Sequence, residues 1–381
     1  MTLNTKYKKK SIFRRLVKSI FLSVYLFVVL LVFVALLSKF VPAYITYIPY
    51  LLSLAFPILF IIFFVLIVFV LYRKYYVTFI LTFPVFLWAL FVFNRYVNFT
   101  SLLDSNKCTK DDSLLKVMSF NVRLFDLYNW KGYHKNHKLI IDFIINENPD
   151  IACFQEYYYQ SDGKYPTTEP ILKGLNTSYI HEYYPVINRK KEHFGIATIS
   201  RFPIINKGVI EFEETSNMSI FSDIVLNSDT IRVYNLHLES VRLGNEDYAF
   251  ISALENNSDS IELQKTKNIY NRLITAIVKR NKQAEIIAEH VKSCPYPVIV
   301  CGDFNDVPAS YTYSVISKGL KDSYSLIDIF SMGSTYNGNI PWIRIDYILH
   351  SPFFSSCNYV VHKINASDHF PISVFLRKEN L

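Results

Sequence analysis

At 381 residues, with 51% hydrophobic and 16% aromatic side chains and a formal net charge of +8, the chain is long enough for one large domain plus a further segment. The charge is uneven: residues 1–110 carry 13 basic and one acidic side chain, net +12, while residues 111–381 carry 27 basic and 31 acidic, net −4. The mildly acidic second part lacks the broad positive footprint of a tight duplex binder. The five cysteines, Cys108, Cys153, Cys294, Cys301 and Cys357, show neither metal-ligand spacing nor a disulfide framework.

Residues 1–19 form a basic N-terminus with Lys6, Lys8, Lys9, Lys10, Arg14, Arg15 and Lys18. Residues 20–93 are almost uninterrupted Leu, Val, Phe and Ile, broken only near 38–42 and 72–76. At ~1.5 Å per residue, the stretches 20–37, 48–71 and 76–93 each suffice to cross a hydrocarbon core of ~30 Å, which predicts three transmembrane helices. The first span outruns the ~7–15 apolar residues of a signal peptide and is followed by two more, so it reads as an anchor. Basic flanks are retained in the cytoplasm, so the N-terminus is expected inside. Three crossings then place everything after about Arg95 outside the cytoplasm. The spans hold no internal charges of the kind that line transport pathways.

Residues 94–113 are polar and read as a tether. From 114 to 381, strand-like and helix-like runs alternate. Strands are predicted over 114–121, 151–154, 195–200, 219–226, 231–238, 298–301, 343–349 and 372–376, and helices over 134–146 and 264–292. Residues 157–183 and 241–262 read as long loops, the second an insertion or lid. Many strands covered by a few helices fit packed sheets faced by helices.

Several strand ends carry polar groups suited to holding a metal and a phosphate. In chain order these are Ser119-Phe120-Asn121, Phe154-Gln155-Glu156, Asn235-Leu236-His237, Gly302-Asp303-Phe304-Asn305, Arg344-Ile345-Asp346 and Ser367-Asp368-His369. Period-two alternation places Val233, Asn235 and His237 on one face of their strand. Phosphate-ester hydrolysis needs a hard cation, and Mg²⁺ takes one or two carboxylates while keeping several waters. Glu156 is the leading ligand candidate. Each motif alone is as easily a capped strand end or a turn; it is their number and order that point to a site.

In that order, the motifs resemble the endonuclease/exonuclease/phosphatase family, over residues 114–376. The resemblance implies a deoxyribonuclease I-like fold, an α/β four-layer αββα sandwich of two packed, mainly antiparallel sheets flanked by helices, here in a membrane-anchored, bacterial-type member. It also implies roles: Asn121, Glu156 and Asp368 at the metal, Asp303 on the attacking water, Asn305 on the phosphoryl group and His237 on the phosphate or leaving group. Asp346 would orient His369 and favour its protonated form. The cofactor implied is Mg²⁺, with Mn²⁺ as a substitute.

The expectation is therefore an integral membrane, Mg²⁺-dependent phosphoesterase, bound to the bilayer through its helices and acting outside the cytoplasm on a membrane-proximal phosphodiester such as a lipid. An extracytoplasmic nuclease is the alternative on the same site, with Tyr157, Tyr158 and Tyr159 as base-stacking candidates. A catalytically inactive scaffold module is the alternative of another class.

Overall fold

The structure, a computed structural model, describes residues 2–97, 114–129, 136–213, 215, 217–241, 263–324, 333–338 and 343–379. The tether from 98 onward, the predicted insertion from 242 to 262 and Cys108 lie outside the described residues. The chain divides into two compact units, essentially the helices through Tyr96 and the chain from Val97 onward.

The first unit contains α1 (Thr2–Leu37), α2 (Ile48–Leu54), α3 (Phe56–Tyr72) and α4 (Tyr76–Val97). The apolar part of α1, Phe13–Leu37, and α4 are each long and apolar enough to cross a membrane. The predicted second span is not one straight helix: α2 and α3 meet at 77°. The break falls at Ala55, whose backbone leaves the helical region, with a proline in the first turn of α3. The helices thus supply two spans, or three if the bent pair counts as one. Aromatic packing holds the bundle, as in the stacked rings of Phe60 and Phe93 at 4.3 Å. Tyr25 and Thr82 share a buried hydrogen bond of 2.5 Å. Among the described residues, most exposed large apolar side chains belong to this first unit, as expected of surfaces facing lipid.

The second unit is built on two six-stranded sheets. The first has the order β11 (Phe354–Val361), β12 (Ile372–Lys378), β1 (Leu114–Asn121), β2 (Ile151–Gln160), β4 (Glu192–Ser200) and β3 (Tyr179–Ile187). The second runs β5 (Ile204–Ile210), β6 (Met218–Leu226), β7 (Asp229–His237), β8 (Val298–Asp303), β10 (Asp346–His350) and β9 (Lys321–Asp322). Strand alternation sorts the side chains into layers. Val117, Ile151, Cys153, Val233, Ile299 and Cys301 meet in the core between the sheets. Met118, Ala152 and Phe154 face α5 (Asn136–Glu147) and α6 (Thr168–Gly174) on one outer side, through Ile140, Ile144 and Ile171. Tyr234, Leu236, Val298 and Val300 face α7 (Leu263–Lys292) on the other, through Ala284 and Ile287. The predicted αββα layering is present, with both thiols of Cys153 and Cys301 buried in its centre.

Each sheet is mixed, with one parallel pair at its middle: β1 with β2, and β7 with β8. In those pairs the carboxyl ends point the same way. β12 is antiparallel to β1, and β10 to β8, so their amino ends arrive at that same end of the sandwich. This topology delivers six motif positions to one rim.

The predicted loop over 157–183 is instead the end of β2, then α6 and the start of β3. Tyr157 and Tyr158 are fully buried in the strand, which removes them as base-stacking candidates. β3, β5 and β11 carry no strict hydrophobic alternation because each lies at a sheet edge, with its outer positions exposed.

Candidate active site

The register brings the chemistry together. Asp303 closes β8 opposite His237 of β7 on one side and Asp346 of β10 on the other. Asn121 closes β1 opposite Gln155, one residue before Glu156. The Ser367-Asp368-His369 segment enters just before β12. Its Ser367 hydroxyl donates to the Asn121 carbonyl at 2.9 Å and accepts from the His369 amide at 3.2 Å. All eight candidate residues lie at this rim.

Asp303 is almost wholly buried and tightly held. Its Oδ1 accepts from the Asn305 amide at 2.8 Å, and its Oδ2 accepts from the side-chain amides of Asn121 at 3.1 Å and Asn305 at 3.2 Å. Burial raises its pKa, opposed by the nearby His369. His369 Nδ1 donates to Asp346 at 3.0 Å, while its Nε2 lies 3.6 Å from Asp303 Oδ2. Burial works against the charged imidazole, but the Asp346 and Asp303 carboxylates prevail and raise its pKa well above the ordinary value. With Nδ1 on Asp346 and Nε2 facing Asp303, the ring lies between two carboxylates, which favour its charged form.

Asp303, Asp346 and His369 also form a compact group of metal-ligand type, with one donor atom from each within 4.8 Å of the others. His369 Nδ1 is engaged by Asp346, which leaves Nε2 free to face a phosphoryl oxygen. The neighbouring carboxylates fit a cation better. Burial first and then the Asp368 carboxylate push Glu156 up to about 7, although 35% of its side chain stays open to solvent and tempers the effect. Glu156, Asp368 and Asp303 thus crowd negative charge into one place, a hard oxygen donor set of the kind Mg²⁺ takes. Arg123 Nε, 3.3 Å from Asp368 Oδ2, offsets part of that charge.

Two side chains sit differently from the implied roles. Asn121 turns its Nδ2 toward Glu156, at 3.3 Å, and Asp303, while its Oδ1 accepts from the Arg123 amide at 3.1 Å. In this rotamer it braces the carboxylates and does not offer them its oxygen. Asn305 spends its Nδ2 on the Leu238 carbonyl at 3.0 Å and on Asp303 at 3.2 Å, so binding a phosphoryl oxygen requires it to release one of them. His237 Nε2 lies 3.8 Å from Glu156 and 3.9 Å from Asp303, between the two carboxylates.

The backbone around these carboxylates is strained. Glu156 has φ 49, where the β2–β4 register shifts, and Asn305 has φ 52. Arg123, Leu124, Phe125 and Asp126 form a left-handed turn with φ from 45 to 59. Non-glycine residues in this region cost about 1–3 kcal/mol each and persist only where the surroundings impose them. Here the clamp includes Asn136 donating to Asp126 at 2.7 Å and Tyr165 donating to the Phe125 carbonyl at 2.6 Å.

Sequence reasoning gave no role to four supporting residues. Gln155 donates to the Asn235 oxygen at 2.7 Å, and Asn235 donates to the Ala197 carbonyl at 2.8 Å, a fully buried link between the sheets beneath Glu156. Asn235 shares the His237 face, so its alternation was a usable signal. Arg280 of α7, 1% exposed, donates to the Glu239 carbonyl at 2.9 Å and reaches Asp306 at 3.6 Å. It interrupts the buried stripe Ile277, Ala284 and Ile287, and a charge in an apolar stripe marks a bracing role. Arg123 gave no periodic signal, because its turn is left-handed.

A search of curated proteins returns no match. Among solved structures, an endonuclease/exonuclease/phosphatase from Beutenbergia cavernae DSM 12333 is similar at 18% identity and TM-score 0.52, covering 70% of this chain and 72% of its own. A family protein from Bacteroides thetaiotaomicron is similar at 20% identity and TM-score 0.50, covering 71% of this chain and 100% of its own. At these identities the likeness speaks for the fold. The family model of the Endonuclease/Exonuclease/phosphatase family matches residues 118–369, which takes in every motif at the rim, and the chain belongs to that family.

Proposed function

We propose that the second unit hydrolyses a phosphate ester by attack of water, in a protein anchored to the bilayer by its N-terminal helices. The observation that carries this reading is His369, anchored on Asp346 at 3.0 Å, facing Asp303 across 3.6 Å beside the Glu156 and Asp368 carboxylates. Glu156 and Asp368 would hold a Mg²⁺ or Mn²⁺ ion, which supplies charge neutralisation at the phosphoryl oxygens. His369 Nε2–H binds a phosphoryl oxygen, and Asp346 keeps that proton on the ring. Asp303 takes a proton from the attacking water as its oxygen bonds to phosphorus and the ester P–O bond breaks. The departing oxygen takes up a proton from solvent water, with His237 placed to contact it. A carboxylate locked by three hydrogen bonds is aimed in advance, which is where general-base catalysis gains its efficiency.

The protein should cleave bis(p-nitrophenyl) phosphate when reconstituted full-length in nanodiscs with Mg²⁺, and lose that activity on chelation. No turnover by a folded protein that binds Mg²⁺ on a panel that also includes a monoester, plasmid DNA, RNA and a phospholipid would sink the reading.

An extracytoplasmic phosphoesterase requires the bent α2–α3 pair to cross as one span: the basic residues before the first span hold the N-terminus inside, three crossings put the second unit outside, and a disulfide-bonded Cys357 fits an oxidising compartment. Protease added outside sealed, right-side-out vesicles is expected to remove a C-terminal epitope. Survival of the epitope until the vesicles are lysed would reverse the orientation. A membrane-proximal diester is favoured over nucleic acid, since the unit is acidic and its Tyr157 and Tyr158 are buried.

A further inference from the structure

Beside the carboxylates lies a cavity of about 250 Å³ lined by Glu156 and His237 together with the apolar Leu124, Val186, Phe194 and Met218, with Gly195, Asn217 and Ser240 completing the wall. The apolar members come from both sheets and from the left-handed turn. Sheet register ties them to the site: Met218 pairs with His237 across β6 and β7, Phe194 pairs with Tyr158 two residues beyond Glu156, and Val186 pairs with Phe194. The register shift between Tyr183 and Val186 sets that last pairing, and Gly195 lets the strands close up, since a Cβ there would lie 1.9 Å from the Tyr183 carbonyl oxygen.

Phosphate recognition calls for charged and polar donors, and these are already gathered around Asp303. Four apolar side chains next to Glu156 and His237 add nothing to it. They suit an uncharged hydrocarbon group carried on the phosphate. The volume is below the ~300–1,000 Å³ of sites that enclose a whole drug-sized ligand, so it fits one substituent of a larger substrate. We propose that this cavity is the subsite for an apolar ester substituent, alkyl or aryl, and that the enzyme selects amphiphilic phosphate esters. The proposal rests on the phosphoesterase reading and names its substrate class.

Binding, which does not require turnover, separates the two. Butyl phosphate, phenyl phosphate and glycerol phosphate are titrated into the full-length protein in nanodiscs with Mg²⁺, with empty nanodiscs subtracted. Butyl or phenyl phosphate is expected to bind about ten- to a hundred-fold more tightly than glycerol phosphate, from apolar area removed from water. The stronger of the two identifies an alkyl or an aryl occupant. Phe194→Ala should shrink the ratio, and so should Val186→Asn, a change at a 45% exposed edge-strand position that leaves the core intact. Equal affinity for all three ligands, or a ratio unchanged in both variants, overturns the proposal. An apolar preference without hydrolysis of any ester would retain the subsite and overturn the phosphoesterase.

Discussion

Replacing Asp303 by Ala is expected to lower kcat/KM for phosphate-ester hydrolysis by about 10²–10⁴-fold, the usual contribution of a positioned general base. His369→Ala should fall in the same range. The reason is geometric. Asp303 cannot rotate away from the site, because Asn305 and Asn121 hold both of its oxygens, and His369 Nε2 stands 3.6 Å from it with Nδ1 anchored on Asp346. Removing either member leaves its partner oriented for a substrate it can no longer process. The double variant is expected to be little slower than either single one, since residues acting as a unit are not additive. Initial rates at saturating Mg²⁺ on wild type, both single variants and the double variant decide this. Turnover within a few-fold of wild type in either single variant would refute the assignment.

How far these features could be read from sequence depended on the physics behind each. The central strands were legible because burial on both faces turns them into continuous apolar runs, as in Val298–Cys301, and their polar ends then stand out. The edge strands were not: β11 shifts register between Cys357 and Val360, and β3 has exposed positions at both ends. Hydropathy found the apolar helices yet could not show the 77° bend between α2 and α3, because it measures how apolar a run is and not its direction. At the site, residue identities were legible and orientations were not. Nothing in Ser119-Phe120-Asn121 says that the amide nitrogen of Asn121, and not its oxygen, would face the carboxylates. That follows from the Arg123 amide, which is brought onto Asn121 Oδ1 by a left-handed turn of ordinary residues.

At Gly302 the structural cause differs from the one its sequence position suggests. Its sequence position, just before Asp303, suggests a glycine needed for a tight turn. In the structure it lies inside β8, with φ 144, and pairs with Tyr347 of β10 and Leu236 of β7. A Cβ at this position would lie 2.1 Å from the Leu236 carbonyl oxygen and 2.7 Å from its amide nitrogen, both atoms of a neighbouring strand that cannot swing aside as a side chain can. Gly302→Ala is therefore expected to destabilise the second unit by about 3 kcal/mol or more, from overpacking and left-handed backbone strain together. Its effect should exceed the stability change, because β7 and β8 carry His237 and Asp303 at adjacent ends, and separating them spreads the site. The check is thermal denaturation alongside kcat/KM, with Gly319→Ala as the comparison. Gly319 also has positive φ, at 80, but nothing lies within 4 Å of the point a Cβ would occupy there, so strain acts without a clash. If Gly302→Ala melts no lower than Gly319→Ala and retains its activity, the close approach of β7 is not what fixes the glycine.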